Sequence, residues 1–128
     1  MDRKLKSQKI SAMIVDDYSK MRFILKKMLE SVFKDQLSNI YECSNGEEAV
    51  KMYNENRPDW ILMDLKMEIM DGLAATREIL KINSGAKIII LTQFDDTEYF
   101  EAAKKLGVKA FVLKENILDV PALIKNLL

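Results

Sequence analysis

Trp60-Ile61-Leu62-Met63-Asp64 is an apolar run that ends in a single carboxylate. Polar and turn-forming residues follow it through Asp71-Gly72. A short apolar run bounded in this way predicts a buried strand. In an open α/β sheet, ligands bind beyond the carboxyl ends of the strands, so Asp64 falls where chemistry is done. An Asp after a strand is also an ordinary turn or helix-cap residue. Asp64 alone does not decide between these readings.

The flanking sequence supplies the context. Upstream, Lys9 to Val15 predicts a first strand, which runs into Asp16-Asp17. From Tyr18 the period becomes helical. Met21, Ile24, Leu25, Met28, Leu29 and Val32 recur on one side, with Lys20, Arg22, Lys26 and Lys27 on the other. Asn39 to Cys43 predicts a second strand. Ser44 stands three residues before Glu47, a capping-box spacing, and opens a helix to about Glu55 that Asn56-Arg57-Pro58 stops. Downstream of Asp64, a loop from Leu65 to Asp71 leads to a helix from Gly72 to about Lys81, with Leu73, Thr76, Ile79 and Leu80 inward. Lys87 to Leu91 predicts a fourth strand, ending in Thr92. Asp95-Asp96-Thr97 caps a fourth helix with Phe100, Ala103 and Leu106 as its stripe, and Gly107 closes it. Lys109 to Leu113 predicts the fifth strand, ending in Lys114. A last helix runs from Ile117 or Val120 to Leu128, with Pro121 in its first turn.

Strand and helix therefore alternate five times. The third and fourth strands are apolar on both faces, and the first nearly so, as a parallel sheet covered on both sides requires. Right-handed crossovers then give a doubly wound α/β fold. The 128 residues suit one domain, expected to span 1–128 with an ordered core from about residue 9 and no output domain.

Composition removes several classes of function. Charge is balanced, with 20 basic and 20 acidic residues, which argues against bulk attraction to nucleic acid or a membrane surface. No apolar run approaches the ~20 residues that span a bilayer, and the charged N-terminus lacks a signal-peptide core. The one cysteine, Cys43, cannot form an internal disulfide, which fits a cytoplasmic setting; it reads as a small buried residue. The chain has no histidine, which removes Ser-His-Asp and Cys-His catalysis and histidine-rich zinc sites.

The polar residues at the strand ends carry the chemistry. Asp16-Asp17, Asp64, Thr92 and Lys114 all follow strands at the carboxyl edge of one parallel sheet, so they converge on one crevice. Helix capping explains any one of them but not the set. Clustered carboxylates repel and raise each other's pKa, and a hard divalent cation such as Mg²⁺ relieves that repulsion. One carboxylate can then act as a nucleophile toward phosphorus. The transferred group asks for a cation, a lysine and a hydroxyl donor, which suits Mg²⁺, Lys114 and Thr92. A structural ion pair is the alternative role for Lys114.

With these residues placed, the chain resembles the receiver (CheY-like) domain of bacterial two-component response regulators over nearly its whole length. The marks are Asp16-Asp17, Leu62-Met63-Asp64-Leu65-Lys66-Met67, Met70-Asp71-Gly72, Leu91-Thr92 and Phe111-Val112-Leu113-Lys114. The resemblance implies a flavodoxin-like three-layer sandwich with strand order 2-1-3-4-5. It implies that Asp64 accepts a phosphoryl group from a histidine kinase or a histidine phosphotransfer protein. Asp17, Asp64 and the backbone carbonyl of Lys66 would ligate Mg²⁺, with Asp16 nearby or acting through water. Thr92 and Phe111 would move together and remodel the face of the fourth helix, fifth strand and fifth helix, including Tyr99, Lys105 and Lys109. That face would address an output domain or partner, or a second copy on phosphorylation. Such a domain is a switch rather than an enzyme, and touches neither nucleic acid nor membrane itself. The stretches around Thr92 and Lys114 look most like the NarL/FixJ (LuxR-type) regulators, whose output is transcriptional.

The chain departs from the family pattern at two places. Glu68 and Glu115 stand where many receivers have proline, so the peptide after Lys114 is expected to be trans. Lys66 and Phe94, two residues beyond Asp64 and Thr92, are expected to tune phosphate loss, Phe94 by shielding it from water. Two other classes stay open on the residues alone. One is an Asp-nucleophile phosphatase of the haloacid-dehalogenase type, though Lys66 stands where those enzymes carry a second Asp. The other is a receiver-like interaction module that takes no phosphate.

Overall fold

Five strands and five helices alternate along the chain in the computed structural model, which describes residues 9–93 and 97–128. They are β1 (Ile10–Val15), α1 (Ser19–Phe33), β2 (Leu37–Cys43), α2 (Gly46–Asn56), β3 (Trp60–Asp64), α3 (Gly72–Ile82), β4 (Lys87–Thr92), α4 (Thr97–Leu106), β5 (Ala110–Leu113) and α5 (Val120–Asn126). The strands form one parallel sheet in the order β2-β1-β3-β4-β5. This is the doubly wound, flavodoxin-like arrangement expected from the sequence.

Alternation along the strands divides the core into two layers. Met13, Val15, Ile61, Met63, Ile88 and Ile90 cluster with Ala49 and Tyr53 of α2, Ala75 and Ile79 of α3, and Ala103 of α4. Ala12, Ile14, Trp60, Leu62, Ile89 and Leu91 cluster with Leu25, Leu29 and Phe33 of α1 and with Val120 and Ile124 of α5. Every residue of β3 is buried, which is why its sequence is apolar on both faces.

Register aligns the strand ends. Val15 pairs with Met63, Asp64 with Leu91, and Thr92 with Leu113. Asp16, Asp64, Thr92 and Lys114 are therefore delivered to a single edge of the sheet.

Several local expectations are corrected. β2 begins at Leu37, two residues before the expected Asn39, after a 3₁₀ turn at Lys34–Gln36. Its pairing with β1 shifts between Ile10↔Leu37 and Ala12↔Ile40, so β2 carries one extra residue there. Such a bulge on an edge strand breaks the two-residue period that a sequence reading relies on. α2 is capped one residue later than expected. Extended Asn45 accepts a hydrogen bond from the Glu48 backbone N–H at 2.9 Å, and the Glu48 carboxylate accepts from the Ser44 N–H and hydroxyl. On α4, Phe100 is 40% exposed rather than inward, while Ala103 is fully buried. Phe100 packs edge-on against Phe111 instead, with ring centroids 5.5 Å apart. The last helix is shorter than expected: a 3₁₀ turn covers Lys114–Asp119, and Leu127 and Leu128 are exposed. The described residues contain no cis peptide, so the bond after Lys114 is trans as expected. Asp95 and Asp96 of the expected α4 cap lie outside the described residues. Among the described residues, no helix is long and apolar enough to cross a membrane.

Candidate functional site

β1 and β3 end in acids that the sheet buries. Asp16 is 1% exposed and Asp64 6%. Burying a carboxylate is costly unless it is paired and hydrogen-bonded, and both are. Asp16 Oδ1 accepts from the Tyr18 backbone N–H at 2.8 Å, and Oδ2 accepts from Lys114 Nζ at 2.8 Å. Asp64 Oδ1 accepts from the Leu65 N–H at 2.9 Å and lies 3.0 Å from Lys114 Nζ. Lys114, at the end of β5, thus bridges two strands it does not adjoin. Asp17 is exposed, but its carboxylate joins the other two, with one oxygen from each within 4.8 Å of the rest.

These groups line a cleft of about 440 Å³ with Tyr18, Met21, Lys66, Thr92 and Gln93. The structure therefore brings together Asp16, Asp17, Asp64, Lys66, Thr92 and Lys114. Thr92 is 3% exposed, and the Lys66 ammonium stands 5.9 Å over the Tyr99 ring. Phe111 is absent from the cleft wall; it is half-buried behind it, against Phe100. Phe94 lies outside the described residues.

The charges are unequal. The Asp64 carboxyl is pushed up from 3.8 to about 6. Burial is the leading cause, the Asp16 charge adds to it, Lys114 opposes it, and Asp17 adds least. Repulsion among the acids is thus secondary to desolvation, the reverse of the weighting their clustering suggests. Burial on its own would lower the Lys114 ammonium, but the hydrogen bond to Asp16 and the charge of Asp64 hold it above its ordinary value. Lys114 is therefore a cation at neutral pH. It is the ion-pair partner of both buried acids. Burial pushes the Cys43 thiol up to about 11, consistent with an inert core residue.

Two features escaped the sequence reading. Arg22, expected on the outward side of α1, turns inward, and its side chain is only 18% exposed. Gly72 is the second. A Cβ there would overlap the carbonyl oxygen of Asp64, and its N–H donates to Leu65 O at 2.8 Å. Gly46 does the same for the far end of the loop, donating to Met70 O at 2.9 Å. The loop between is strained. Ile69 has φ 69° and centres a three-residue turn closed by the Met70 N–H on Glu68 O at 2.7 Å. Gly72→Ala is expected to cost about 2–3 kcal/mol, because the methyl group meets backbone rather than a flexible side chain. Urea unfolding measures it, and a loss under 1 kcal/mol would show that the loop gives way freely.

The chain also matches known proteins. Residues 12–127 match the response regulator receiver domain. The chemotaxis protein CheY of Halobacterium salinarum is 39% identical over 102 residues, covering 80% of this chain and 82% of that protein. The transcriptional regulatory protein DegU of Brevibacillus brevis is 30% identical over 98% of this chain, which spans only 51% of DegU. A LuxR-family DNA-binding response regulator from Staphylococcus aureus superposes with a TM-score of 0.83 at 30% identity, covering 91% of this chain and 97% of that one. Five parallel strands in this order form the flavodoxin-like fold of receiver domains, and the family match decides among the proteins that share it. The chain belongs to the response regulator receiver domain family, and is a phosphorylation-activated signalling switch of the two-component type.

Proposed function

We propose that Asp64 is the phosphoryl acceptor of this switch. One observation carries the assignment. Asp64 is the acid that lies at the end of the central buried strand, in the cleft, 3.0 Å from a lysine and within 4.8 Å of both other carboxylates. A carboxylate oxygen attacks the phosphorus of a phosphohistidine on a sensor histidine kinase or histidine phosphotransfer protein. The P–N bond breaks as the P–O bond to Asp64 forms, and the imidazole leaves with a proton from solvent. This chain has no histidine of its own to serve as donor. Lys114 stays charged and offers its ammonium to the new phosphoryl oxygens, and the Thr92 hydroxyl offers a donor from β4.

The donor set suits Mg²⁺. It is all oxygen, partly open to water, and contains a carboxyl that burial makes reluctant to ionise alone. Asp17, Asp64 and the Lys66 backbone carbonyl would hold the ion, with Asp16 behind them. When bound, it supplies positive charge for the transferred phosphoryl group.

Phosphorylation then biases Thr92 and, through it, Phe111. Phe111 already contacts Phe100 of α4, so its movement is coupled to the α4-β5-α5 face. That face signals to an output domain or partner protein, with transcription as the regulated process, or pairs with a second copy. Lys66 and Phe94 set the phosphate lifetime. The domain works in the cytoplasm as a switch without turnover of a separate substrate, and contacts neither nucleic acid nor membrane directly.

The test is incubation with Mg²⁺ and acetyl phosphate, followed by intact mass. Wild type is expected to gain about 80 Da, one phosphoryl group, and Asp64→Asn to gain nothing. An unmodified wild type, or an adduct that persists in the variant, overturns the assignment.

A further inference from the structure

Asp16 is anchored at every polar atom. Its backbone N–H donates to Cys43 O on β2 at 3.0 Å, and its carboxylate is held by Tyr18 and Lys114. Its backbone carbonyl accepts from Arg22 Nη1 at 2.6 Å. The same guanidinium donates through Nε to Glu42 Oε1 on β2 at 3.2 Å. One planar fork therefore ties the first turn of α1 to the end of β2 and to the peptide between Asp16 and Asp17.

That peptide is what sets Asp17. The peptide unit is planar, so a fixed Asp16 carbonyl also fixes the Asp17 nitrogen and the direction of its Cα. Among the described residues, no hydrogen bond or ion pair holds the Asp17 carboxylate, and the side chain is exposed. Its position is inherited from the backbone. The Arg22–Glu42 pair is partly open to water and adds little stability by itself. A lysine cannot replace the fork, because an ammonium is a point charge without a fixed pair of donor directions.

We infer that Arg22 is a positioning residue for the acid pair, orienting Asp17 toward a divalent cation through the Asp16–Asp17 peptide. This rests on the reading of the cleft as a Mg²⁺ site. Partners that orient metal ligands typically change affinity about 10- to 100-fold when removed.

The sign of the effect separates positioning from electrostatics. Arg22 is a cation beside a cation site, so its charge alone opposes Mg²⁺. If charge were all that mattered, Arg22→Met would bind Mg²⁺ more tightly and Arg22→Lys would match wild type. Positioning predicts the reverse: Arg22→Met binds about tenfold more weakly and Arg22→Lys at least threefold more weakly. The experiment is calorimetric titration of the full chain with MgCl₂, alongside thermal unfolding without metal. Weaker binding in both variants, with little change in melting temperature, supports the inference. An Arg22→Met protein that binds as well as or better than wild type overturns it, and so does an Arg22→Lys protein within twofold. If Arg22→Met fails to fold, Arg22→Lys decides alone, since it keeps the charge. A wild type that takes no Mg²⁺ overturns the metal-site reading itself, and this inference with it.

Discussion

Lys114→Ala is expected to destabilise the metal-free protein by about 3–5 kcal/mol at pH 7.5, the cost of breaking a buried pair by removing one partner. Lys114 Nζ sits 2.8 Å from Asp16 and 3.0 Å from Asp64, and none of the three side chains is more than 10% exposed. Alanine leaves two buried carboxylates facing one another without a cation. The defect should depend on pH. Asp64 titrates at about 6 with Lys114 pulling it down, so removing Lys114 moves it higher still. A carboxyl whose folded pKa exceeds its unfolded one penalises the fold above the folded pKa. The penalty fades as pH falls toward the unfolded value. The variant should therefore recover relative to wild type below pH 6. Millimolar Mg²⁺ should also restore part of the loss, since a ligand of the folded state stabilises it by mass action. Urea titrations at pH 7.5 and pH 5, with EDTA or Mg²⁺, give all three comparisons. A deficit below 1 kcal/mol, or one independent of pH, would mean that the acids are not held by Lys114.

The sequence exposed this site because its residues sit at ends of strands that are buried on both faces. An acid after Trp60-Ile61-Leu62-Met63 interrupts a pattern that packing alone would continue, and the same holds after Ile14-Val15. Where an element is half-exposed the signal weakens. The extra residue early in β2 breaks the alternation and hides Leu37 and Ser38 from a reading by period. The α2 cap was ambiguous for another reason: Ser44 with Glu47 and Asn45 with Glu48 share one spacing, and only the extended backbone at Asn45 decides. Phe100 fits a helical stripe, yet its contact is with the Phe111 ring at the rim of the sheet. Arg22 was hidden more thoroughly. It acts on a backbone carbonyl, which leaves no partner in the sequence to match it with, and it occupies the charged side of an amphipathic helix. Gly72 read as a helix start; that it also makes room for the Asp64 carbonyl requires the three-dimensional path of the loop.

The site is held at a cost to the fold, and Asp64→Asn should reveal how much. At pH 7.5 the buried carboxylate is ionised, although its folded pKa of about 6 lies above the unfolded 3.8. The difference, 6 minus 3.8, corresponds to a penalty of about 3 kcal/mol at 1.36 kcal/mol per unit. Asparagine is nearly isosteric and neutral, and its Oδ1 can still accept from the Leu65 N–H. That penalty is already net of the pull of Lys114, which keeps Asp16 at 2.8 Å in the variant. The expected result is a metal-free variant about 1–3 kcal/mol more stable than wild type at pH 7.5. The sign again fixes the pH window. The penalty is present in full above pH 6 and absent below 3.8, so wild type should gain on the variant as pH falls between them. Mg²⁺ should act in the opposite sense on the pair, stabilising wild type more than a variant that lacks one of the three carboxylates proposed to hold it. An Asp64→Asn protein less stable than wild type at pH 7.5 without metal would show that the Lys114 contact outweighs desolvation. A more stable one would mean that this carboxylate, the proposed acceptor, is kept in the fold against its own energetics, poised for a cation to relieve it.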